Sequence, residues 1–530
     1  MECELPPSTP DPLSPDLVPR DEHNRELLAH AHPPDWQNRA PQPLYDLVVI
    51  GGGTAGLVSA AGLAGLGGKV ALVERHLLGG DCLNYGCVPS KALLRAARAA
   101  HDVARAGEFG IGVVSKTASG GREPPESHRV DFAHVMSRMR RIRAGISHHD
   151  SAQRFTSLGV DVFLGHAQFN SQQSIAVAGQ TLRFKRALIA TGGRAAVPNV
   201  PGLAEAGYLT NETVFSLTEL PPRLIVLGGG PIGCELAQAF QRFGSQVKLV
   251  QRGPRLLPND EPDAAKLLDR QFRREGIGLL YGAKTLRIET AGASKRLVVE
   301  CEGREQTLEA DAILVATGRT PNVEGLGLEA VGIEHGSRGV TVNDFLQTTN
   351  PRIYAAGDIA GSYQFTHAAD AMARLCVQNA FFSFGPFGRK RVSDLVVPWT
   401  TYTDPEVAHV GLTAESAAKQ GIAIDTYREE LSRVDRAVLD GEEDGFAMIH
   451  CRRGTPRVLG CTIVARHAGE MIGEAALLMT AGLKLSDLAH TIHCYPTQVE
   501  VLKRLGDQYN KSRLTPRVAA LLKAVIDWRS

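Results

Sequence analysis

The chain is 530 residues long, and its hydrophobic content of 43% and charged content of 22% are ordinary for a globular protein. That length exceeds what one hydrophobic core usually holds, so we expect roughly two to four domains. The formal net charge of +1 provides no overall attraction to nucleic acid or to an anionic membrane surface. Neither is therefore expected as a partner.

The first 43 residues are rich in Pro, Asp and Glu and contain no apolar segment of the kind that signal peptides carry. We expect them to form an extension that lies along the surface of the protein. The apolar stretch at residues 47–73 is interrupted by glycines, which favours a buried βαβ unit over a membrane span. Most of the nine cysteines are scattered singly, as is typical of proteins from the reducing cytoplasm, where we expect this protein to reside.

The strand predicted at residues 47–50 leads into Gly51, Gly53 and Gly56, which have the spacing of a dinucleotide-binding turn. In such a turn the first glycine permits a tight bend and the second lets the backbone approach a pyrophosphate. The third lets helix and strand pack closely. The next strand ends at Glu74, 18 residues after Gly56. A carboxylate there can accept hydrogen bonds from both ribose hydroxyls, so a bound dinucleotide is predicted.

A second unit at residues 223–252 repeats the order of strand, glycine turn, helix and strand. Its glycines are Gly228, Gly230 and Gly233. Two such units predict two dinucleotide-binding domains in one chain. Here the second strand ends at Gln251 instead of an acid, and Arg252 and Arg255 follow. A guanidinium matches phosphate geometry, so this pattern favours the 2′-phosphate of NADPH and leaves NADH as the alternative.

Apolar strands that end at glycine turns recur along the chain, which indicates an α/β architecture as far as about residue 398. These strands end at Ile50, Ala190, Leu227, Ala316 and Ala356. A Gly-, Ser-, Pro- and Glu-rich stretch at residues 115–127 is predicted to be a surface loop. Strand-like pieces at 399–463, followed by helical patterns at 473–489 and 497–511, predict a separate α+β domain.

One basic run lies in a helix-like stretch of the otherwise balanced sequence. Its members are Arg138, Arg140, Arg141 and Arg143. Two interpretations are open, a solvated helix face and a site for a polyanion, and the first is the more common origin of such a run. We therefore expect these arginines to lie in solvent.

Cys82 and Cys87 lie close together, about 30 residues after the first glycine turn and just before a helical pattern. A thiolate at the N-terminus of a helix is stabilised by the helix dipole, which lowers its pKa. Lys91 adds a positive charge within one turn. The pair can alternate between dithiol and disulfide by exchanging two electrons, the number that a flavin accepts. A structural metal site would need two further ligands nearby, and none follows.

The run at residues 79–91, GGDCLNYGCVPSK, resembles the active-site segment of the pyridine nucleotide-disulfide oxidoreductases, which include glutathione reductase, dihydrolipoamide dehydrogenase and mercuric reductase. Three further motifs agree in order: ATG at 190–192, ATGR at 316–319 and AGD at 356–358. The resemblance covers about residues 45–512. It implies an α/β fold with two Rossmann-like dinucleotide-binding domains plus a C-terminal α+β dimerisation domain, in a homodimer with a shared active site.

The resemblance also implies that the first glycine turn binds FAD and the second binds the pyridine nucleotide. Cys87 would be the thiolate against the flavin, and Cys82 the thiol that exchanges with substrate. Lys91 would lie near flavin N5, paired with Glu235, and Asp358 would bind the ribityl or phosphate region of FAD. The other positions that the motifs assign to the cofactors are Thr191, Gly192, Gly318 and Gly357.

In the disulfide reductases of this family the partner subunit completes the active site with a segment His-Pro-Thr-x-x-Glu, whose His–Glu pair does acid–base work. Here the corresponding segment runs from Tyr495 to Glu500, with tyrosine in place of the histidine, as in mercuric reductases. Two roles are open for His493, one in catalysis and the other in packing at the interface. His490 is a weaker candidate for a catalytic role. Cys494 either meets the dithiol across the interface or is a small buried residue, and we expect the second.

The predicted function is an NADPH-driven flavoenzyme of the mercuric reductase-like branch. Hydride would pass from nicotinamide to FAD and then to the Cys82–Cys87 disulfide. The dithiol would reduce Hg(II), bound transiently by both sulfurs, or a related metal or disulfide acceptor. Typical mercuric reductases carry an N-terminal Cys-x-x-Cys domain and a terminal cysteine pair, whereas this sequence has only Cys3 before Cys82 and no cysteine after Cys494. Alternatives are a dihydrolipoamide dehydrogenase, a glutathione reductase-like enzyme and, from another class, a redox-sensing flavoprotein.

These patterns and the resemblance together predict the domain boundaries. The predicted segments are an N-terminal extension (1–43), the first part of the FAD-binding domain (44–200), the NAD(P)H-binding domain (201–325), the second part of the FAD-binding and central domain (326–395), the dimerisation domain (396–515) and a C-terminal tail (516–530).

Overall fold

The computed structural model describes residues 15–529, except 112–114, 117–121, 124–129, 293, 362 and 386. Residues 1–14 of the predicted extension and most of the predicted loop at 115–127 lie outside the described residues. Within the described part of the chain, no helix is both long enough and apolar enough to cross a membrane. The glycine-interrupted stretch at 47–73 forms a strand, a helix and a strand, as predicted.

The elements are as follows in chain order. The α-helices are α1 (Glu22–Ala31), α2 (Thr54–Gly65), α3 (Gly80–Asn84), α4 (Cys87–Ala104), α5 (Phe132–Ser147), α6 (Ala152–Ser157), α7 (Leu203–Ala206), α8 (Pro231–Phe243), α9 (Pro262–Arg274), α10 (Thr366–Phe381), α11 (Ala414–Lys419), α12 (Asp435–Leu439), α13 (Ala468–Thr480), α14 (Leu485–His490), α15 (Glu500–Ser512) and α16 (Pro516–Arg529). The strands are β1 (Tyr45–Ile50), β2 (Val70–Glu74), β3 (Ser115–Lys116), β4 (Arg122–Glu123), β5 (Val160–Leu164), β6 (Gln168–Ser171), β7 (Ser174–Val177), β8 (Gln180–Ile189), β9 (Gly193–Ala195), β10 (Arg223–Leu227), β11 (Gln246–Val250), β12 (Gly278–Leu280), β13 (Lys284–Ala291), β14 (Ser294–Cys301), β15 (Arg304–Ala310), β16 (Ala312–Val315), β17 (Arg319–Pro321), β18 (His335–Gly336), β19 (Gly339–Val340), β20 (Ile353–Ala355), β21 (Pro398–Thr401), β22 (Glu406–Gly411), β23 (Ile424–Glu430), β24 (Phe446–Arg452) and β25 (Val458–Ala465).

The chain divides into two compact units. The first comprises the chain up to Arg252 together with Gly276–Leu395, and the second comprises Gly253–Glu275 and Val396–Ser530. Helix α9, which falls within the predicted NAD(P)H-binding domain, therefore belongs to the second unit. One reason is a buried polar contact within that unit, in which His450 Nε2 lies 2.9 Å from Glu261 Oε1, just before α9. The other predicted boundaries remain predictions.

The first unit contains a sheet of order β5-β2-β1-β8-β7-β6, with β20 also paired to β8. Its centre is parallel, and Ile50 at the end of β1 lies beside Val73 of β2 and Ile189 of β8. β1 and β2 are buried almost throughout, as expected for parallel strands covered on both faces. The carboxyl ends of such strands meet at one edge, where ligands bind in folds of this class.

A second parallel sheet of the first unit, of order β12-β11-β10-β16, repeats this arrangement. Leu227 at the end of β10 pairs with Val250 of β11 and Val315 of β16. The antiparallel strands β13, β14 and β15 form a separate small sheet. The internal repeat in the sequence is therefore confirmed as two strand–helix–strand units of the same topology.

The second unit contains an antiparallel sheet of order β21-β22-β25-β24-β23. Its buried core combines strand residues such as Ile449 and Ile463 with helix residues such as Ile472 and Leu502. Strand residues and helix residues thus share one core, which confirms the predicted α+β domain.

The described part of the N-terminal extension is folded against the first unit. Asp21 caps the N-terminus of α1, where its side chain accepts a hydrogen bond from the backbone N–H of Asn24. The helix buries Asn24, Leu27 and Ala31. Further along, Asn38 forms two hydrogen bonds with the backbone of Leu164 at the end of β5, with lengths of 2.9 and 2.8 Å. These contacts make the extension part of the packed unit.

The expectation that the basic run of α5 lies in solvent is wrong for two of its members. Arg140 and Arg143 are only 6% and 4% exposed. Arg140 Nε donates to Asp21 Oδ2 at 2.5 Å, and Arg143 also contacts the extension. The partners belong to a segment whose fold cannot be read from its composition, so the sequence pattern alone did not reveal the burial.

Candidate active site

The first glycine turn joins β1 to α2, and packing requires two of its three glycines. Gly51 has a φ of +109°, and a Cβ there would lie 2.3 Å from the carbonyl oxygen of Ala190. A Cβ on Gly56 would lie 1.8 Å from the carbonyl oxygen of Gly51, so helix and strand approach closely, as predicted. Gly53 differs, because its backbone is extended and the nearest described atom would be 3.7 Å from its Cβ.

The second glycine turn, between β10 and α8, has the same geometry. Gly228 also has a φ of +109°, with a Cβ 2.3 Å from the carbonyl oxygen of Ala316, and a Cβ on Gly233 would lie 2.0 Å from the carbonyl oxygen of Gly228. Gly230 is extended, and no described atom lies within 4 Å of a Cβ there. Packing of the described residues therefore does not require glycine at Gly53 or Gly230, whereas close approach of a pyrophosphate does.

Replacing Gly230 with alanine is therefore expected to leave the melting temperature unchanged and to raise the KM for the pyridine nucleotide about tenfold. The matched control is Gly233→Ala, whose Cβ would overlap a carbonyl oxygen and which we expect to be destabilised by about 1–3 kcal/mol or more. Thermal unfolding and steady-state kinetics measure the two effects. An unchanged KM in a folded Gly230→Ala protein would show that no nucleotide approaches this turn.

The side chain at the end of each second strand bonds back to its own glycine turn. Glu74 Oε2 accepts a hydrogen bond from the N–H of Gly52 at 2.6 Å, and Gln251 Oε1 accepts one from Gly229 at 2.9 Å. Burial raises the pKa of Glu74, while the N–H groups of Gly52 and His76 act in the opposite direction. The two side chains thus occupy equivalent places, one as an acid and the other as a neutral amide.

Asp358 follows β20 and belongs to a cluster of charged side chains in the first unit. Arg319 Nε donates to Asp358 Oδ2 at 3.0 Å, and a second nitrogen of the same guanidinium lies 3.3 Å from Asp81 Oδ2. Burial raises the pKa of Asp358, and the neighbouring Arg319 lowers it. Since Asp81 directly precedes Cys82, the cluster connects the AGD motif with residues 78–91, which carry both cysteines and which we call the redox segment.

The remaining positions assigned to the cofactors also follow strand ends of the first unit. Thr191 Oγ1 donates to the carbonyl oxygen of Asn322 at 2.9 Å. Gly192, Gly318 and Gly357 have φ values of +66°, +136° and +81°, which favour glycine. Together with the open space at Gly53 and the acid at Glu74, these residues fit FAD. When bound, FAD takes two electrons from a pyridine nucleotide and delivers them to a disulfide.

Cys82 lies in α3 and Cys87 is the first residue of α4. Both are free thiols, Cys87 exposed and Cys82 partly buried. A hydrogen bond from Cys82 lowers the pKa of Cys87 to about 6, with further help from Thr366 and Lys91. The same hydrogen bond, together with burial, raises the pKa of Cys82. Near neutral pH the pair therefore consists of a Cys87 thiolate and a Cys82 thiol that donates to it.

The predicted pairing of Lys91 with Glu235 is present. Lys91 Nζ on α4 donates to Glu235 Oε2 on α8 at 2.8 Å. The Glu235 side chain is 6% exposed and that of Lys91 is 37% exposed. Because Lys91 also lowers the pKa of Cys87 electrostatically, the same cation stabilises a buried carboxylate and the reactive sulfur.

Sequence reasoning did not identify Thr366, whose Oγ1 lies 3.2 Å from Cys87 Sγ. It is the first residue of α10, far along the chain from Cys87, and no motif marked it. Arg319 belonged to the recognised ATGR motif but received no role of its own. The available signal was that the ATGR motif carries a positive charge and that Asp81 and the AGD motif carry negative charges, which can pair.

The C-terminal candidates lie in the second unit, in an irregular stretch between α14 and α15. Tyr495 is 71% exposed, and its hydroxyl donates to Asp435 Oδ2 at 2.7 Å, which raises the pKa of Tyr495. Glu500 begins α15 and pairs with Arg504 at 3.2 Å. Cys494 is exposed in the single protomer, so its predicted burial does not occur within its own chain.

His493 is held within its own unit by Glu474 of α13. Its Nε2 lies 3.1 and 3.3 Å from the two carboxylate oxygens of Glu474, and its Nδ1 lies 3.1 Å from the carbonyl oxygen of Thr491. The His493 side chain is 6% exposed, whereas His490 is exposed. In catalytic acid–base pairs a carboxylate commonly orients an imidazole in this way. The contact with Glu474 is therefore compatible with a catalytic role for His493, and that role stays a prediction.

The two arginines assigned to a 2′-phosphate differ in their surroundings. Arg252 directly follows Gln251 and is exposed. Arg255 belongs to the second unit, where its guanidinium binds both carboxylate oxygens of Glu415 at 2.7 and 3.0 Å. A phosphate at Arg255 would have to compete with Glu415, so Arg252 is the better candidate.

Over the described ranges, no cluster of three or more His, Cys, Asp or Glu side chains is arranged to hold a metal ion. The first unit nevertheless presents two sulfurs together at Cys82 and Cys87. Two thiol ligands suit brief contact with a soft metal ion as a substrate.

Two dinucleotide turns in the same unit as a reactive pair of thiols define an oxidoreductase that exchanges electrons between a pyridine nucleotide and a disulfide. Comparison with known families agrees. The pyridine nucleotide-disulphide oxidoreductase family matches residues 45–373, and the dimerisation domain of that family matches residues 397–505. The chain belongs to this family, whose flavoproteins use FAD and a pyridine nucleotide, and its dimerisation domain implies a homodimer.

Relatives with assigned activities fall into more than one branch. A mercuric reductase of Bacillus cereus is 36% identical over 87% of this chain and 70% of its own length. A dihydrolipoyl dehydrogenase of Chlamydia muridarum is 34% identical over 86% of this chain and 95% of its own. Among solved structures, the HOCl-induced flavoprotein disulfide reductase RclA of Escherichia coli superimposes with a TM-score of 0.74 at 28% identity, covering 87% of this chain and 99% of its own.

Proposed function

We propose that the protein is an NADPH-dependent flavoenzyme that reduces Hg(II), or a related soft metal ion or small disulfide, through Cys82 and Cys87. For Hg(II) the two-electron reaction is NADPH + Hg(II) giving NADP⁺, H⁺ and Hg(0). The observation that carries the proposal is the pair of free thiols, with Cys87 at the first residue of α4 and its Sγ 3.2 Å from Thr366 Oγ1. Cys87 is held as a thiolate, and the partly buried Cys82 supplies the second sulfur that a soft metal ion or a disulfide requires.

Tyr495 supports a metal acceptor. Reduction of a disulfide releases a thiolate that must take up a proton, and an imidazole titrating near neutral pH is suited to supply it. The phenol of Tyr495 donates to Asp435, which raises its pKa and makes it a poorer proton donor. Reduction of Hg(II) to the metal needs no proton at this point.

A small disulfide is the second candidate acceptor, and the His493–Glu474 pair is the observation that favours it. Its geometry, with Nε2 at 3.1 Å from a carboxylate oxygen, is that of an oriented acid–base imidazole. In the disulfide reductases of the family a histidine stands at the position of Tyr495, and His493 would perform the acid–base work of that histidine. The similar identities to a mercuric reductase and a dihydrolipoyl dehydrogenase, 36% and 34%, are compatible with either acceptor.

The test is steady-state oxidation of NADPH by the purified holoenzyme with Hg(II), glutathione disulfide or lipoamide as acceptor. We expect Hg(II) to support the highest kcat/KM. Faster turnover with glutathione disulfide or lipoamide would overturn the metal assignment. Turnover at background level with all three acceptors would instead favour a redox-sensing flavoprotein and would sink the enzymatic proposal.

Nucleotide preference is expected to depend on Arg252. Its replacement by alanine should raise the KM for NADPH about tenfold and leave the KM for NADH unchanged, because one charge-assisted phosphate contact is lost. The companion variant is Gln251→Glu, which places a carboxylate where Glu74 stands in the first unit and should favour NADH. A wild-type enzyme that strongly prefers NADH would contradict this interpretation of Arg252 and Arg255.

A further inference from the structure

Arg143 links the N-terminal extension with the segment between the two reactive cysteines. One nitrogen of its guanidinium donates to the carbonyl oxygen of Asn84 at 2.9 Å, and another donates to Asn24 Oδ1 in α1 at 2.7 Å. Asn84 lies between Cys82 and Cys87 and ends α3. We call these contacts from Asn24 through Arg143 to Asn84 the Arg143 bridge.

The bridge is buried at each of its members. Asn24 is 2% exposed, Arg143 is 4% exposed and Asn84 is fully buried. Burial lowers the pKa of Arg143 to about 10, so the guanidinium stays charged at neutral pH. A buried cation is costly unless it is hydrogen-bonded, and Asn24 and Asn84 provide acceptors for it.

Further contacts fix both ends of the bridge. The Asn84 side chain donates to the carbonyl oxygens of Leu78 and Gly80 at 3.1 and 2.8 Å. These hydrogen bonds hold the backbone that precedes Cys82 against Asn84. On the extension side, Asn24 Nδ2 donates to the carbonyl oxygen of Pro19 at 2.7 Å. The backbone N–H of Leu78 also donates to the carbonyl oxygen of Ala31, the last residue of α1, at 3.0 Å. The extension and the redox segment are thus joined at two places.

We propose that Arg143 is a positioning residue for the Cys82–Cys87 pair, and that the N-terminal extension supplies Asn24 to hold it in place. The proposal rests on the redox role assigned to the two cysteines above. By fixing the carbonyl oxygen of Asn84, the bridge restricts the backbone between the sulfurs and reduces the conformational entropy lost when the disulfide closes. It therefore stabilises the disulfide relative to the dithiol.

The test is equilibration of the anaerobic holoenzyme with reduced and oxidised glutathione. Two molecules of glutathione reduce the protein disulfide to the dithiol and form one glutathione disulfide, so two electrons and two protons balance. In Asn24→Ala and in Arg143→Lys we expect this equilibrium to shift towards the dithiol by about fivefold to tenfold. That is the shift expected when about one backbone residue regains its conformational entropy in the dithiol form. Mass spectrometry after alkylation measures the fraction of each form.

The matched control is Asn38→Ala, which removes the two hydrogen bonds between the extension and Leu164 without touching the bridge. We expect a lower melting temperature and an exchange equilibrium within twofold of the wild type. An equal shift in Asn38→Ala, or no shift in Asn24→Ala and Arg143→Lys, would overturn the proposal. A wild-type protein in which Cys82 and Cys87 never form a disulfide would instead refute the redox role itself.

Discussion

Replacing Cys87 with serine is expected to remove the long-wavelength absorbance of the predicted thiolate–flavin contact and to slow acceptor reduction by about a thousandfold or more. Cys87 is the sulfur whose pKa is lowered to about 6, chiefly by the hydrogen bond from Cys82, so it is the thiolate of the pair. A serine hydroxyl in its place stays protonated at neutral pH. Absorbance spectra of the reduced holoenzyme and steady-state NADPH oxidation measure the two effects.

Cys82→Ser is the matched variant. It should lose acceptor reduction to a similar extent but retain the long-wavelength band, because Cys87 still ionises. Without the Cys82 thiol, the hydrogen bond that contributes most to the low pKa of Cys87 is altered, so the band should titrate at a higher pH than in the wild type. Persistence of the band in Cys87→Ser would reverse the assignment of the two sulfurs.

Replacing Lys91 with methionine is expected to act on both stability and ionisation. The change removes the cation that donates to the buried carboxylate of Glu235 at 2.8 Å. Loss of one partner of a buried pair costs about 3–5 kcal/mol, and since Lys91 is 37% exposed we expect a smaller loss of about 2 kcal/mol. Denaturant unfolding of the holoenzyme at pH 7 measures it.

Lys91→Met should also raise the pKa of Cys87, because the charge of Lys91 is one of the interactions that lower it. In the wild type we expect the thiolate band to be present above about pH 6 and to be lost as the pH falls through that value. In the variant the same loss should occur at higher pH, so less thiolate remains at pH 7. A spectroscopic pH titration of the reduced enzyme records both curves.

Glu235→Gln separates the two effects, since it preserves the shape of the side chain and leaves the charge of Lys91 in place. Its thiolate titration should stay at or below the wild-type pH, in contrast to that of Lys91→Met. If both variants shift the titration upward equally, the cation does not act on Cys87 directly and the electrostatic interpretation fails.

The parts of the site that could be predicted from sequence are those fixed by short-range geometry. Gly56 is required by its contact with Gly51 within one strand–turn–helix unit, and the positive φ of Gly51 belongs to the same turn, so their spacing alone predicts the turn. Cys82 and Cys87 are close in the chain and precede a helix, which is sufficient to predict a reactive thiol pair. The pairing of Lys91 with Glu235 spans many residues and was predictable only through the resemblance to a known family.

What could not be predicted depends on packing between segments that are distant in sequence. Thr366 reaches Cys87 only because α10 begins beside the redox segment. Arg143 is buried because α1 covers α5, and neither the charge of the run nor the composition of the extension indicates that contact. Arg255 was assigned to a phosphate by its place after the second strand, but the fold supplies Glu415 as its partner.

The equivalent positions of Glu74 and Gln251 also bear on how one polypeptide keeps two similar ligands apart. A 2′-phosphate about 5 Å from the buried carboxylate of Glu74 would be repelled by about 3 kcal/mol at an effective dielectric constant near 20, or by a factor of more than about a hundred. The amide of Gln251 imposes no such penalty. For an NADPH-dependent enzyme, as proposed above, this single difference between acid and amide would direct the two dinucleotides to different turns and would keep NADPH out of the flavin site.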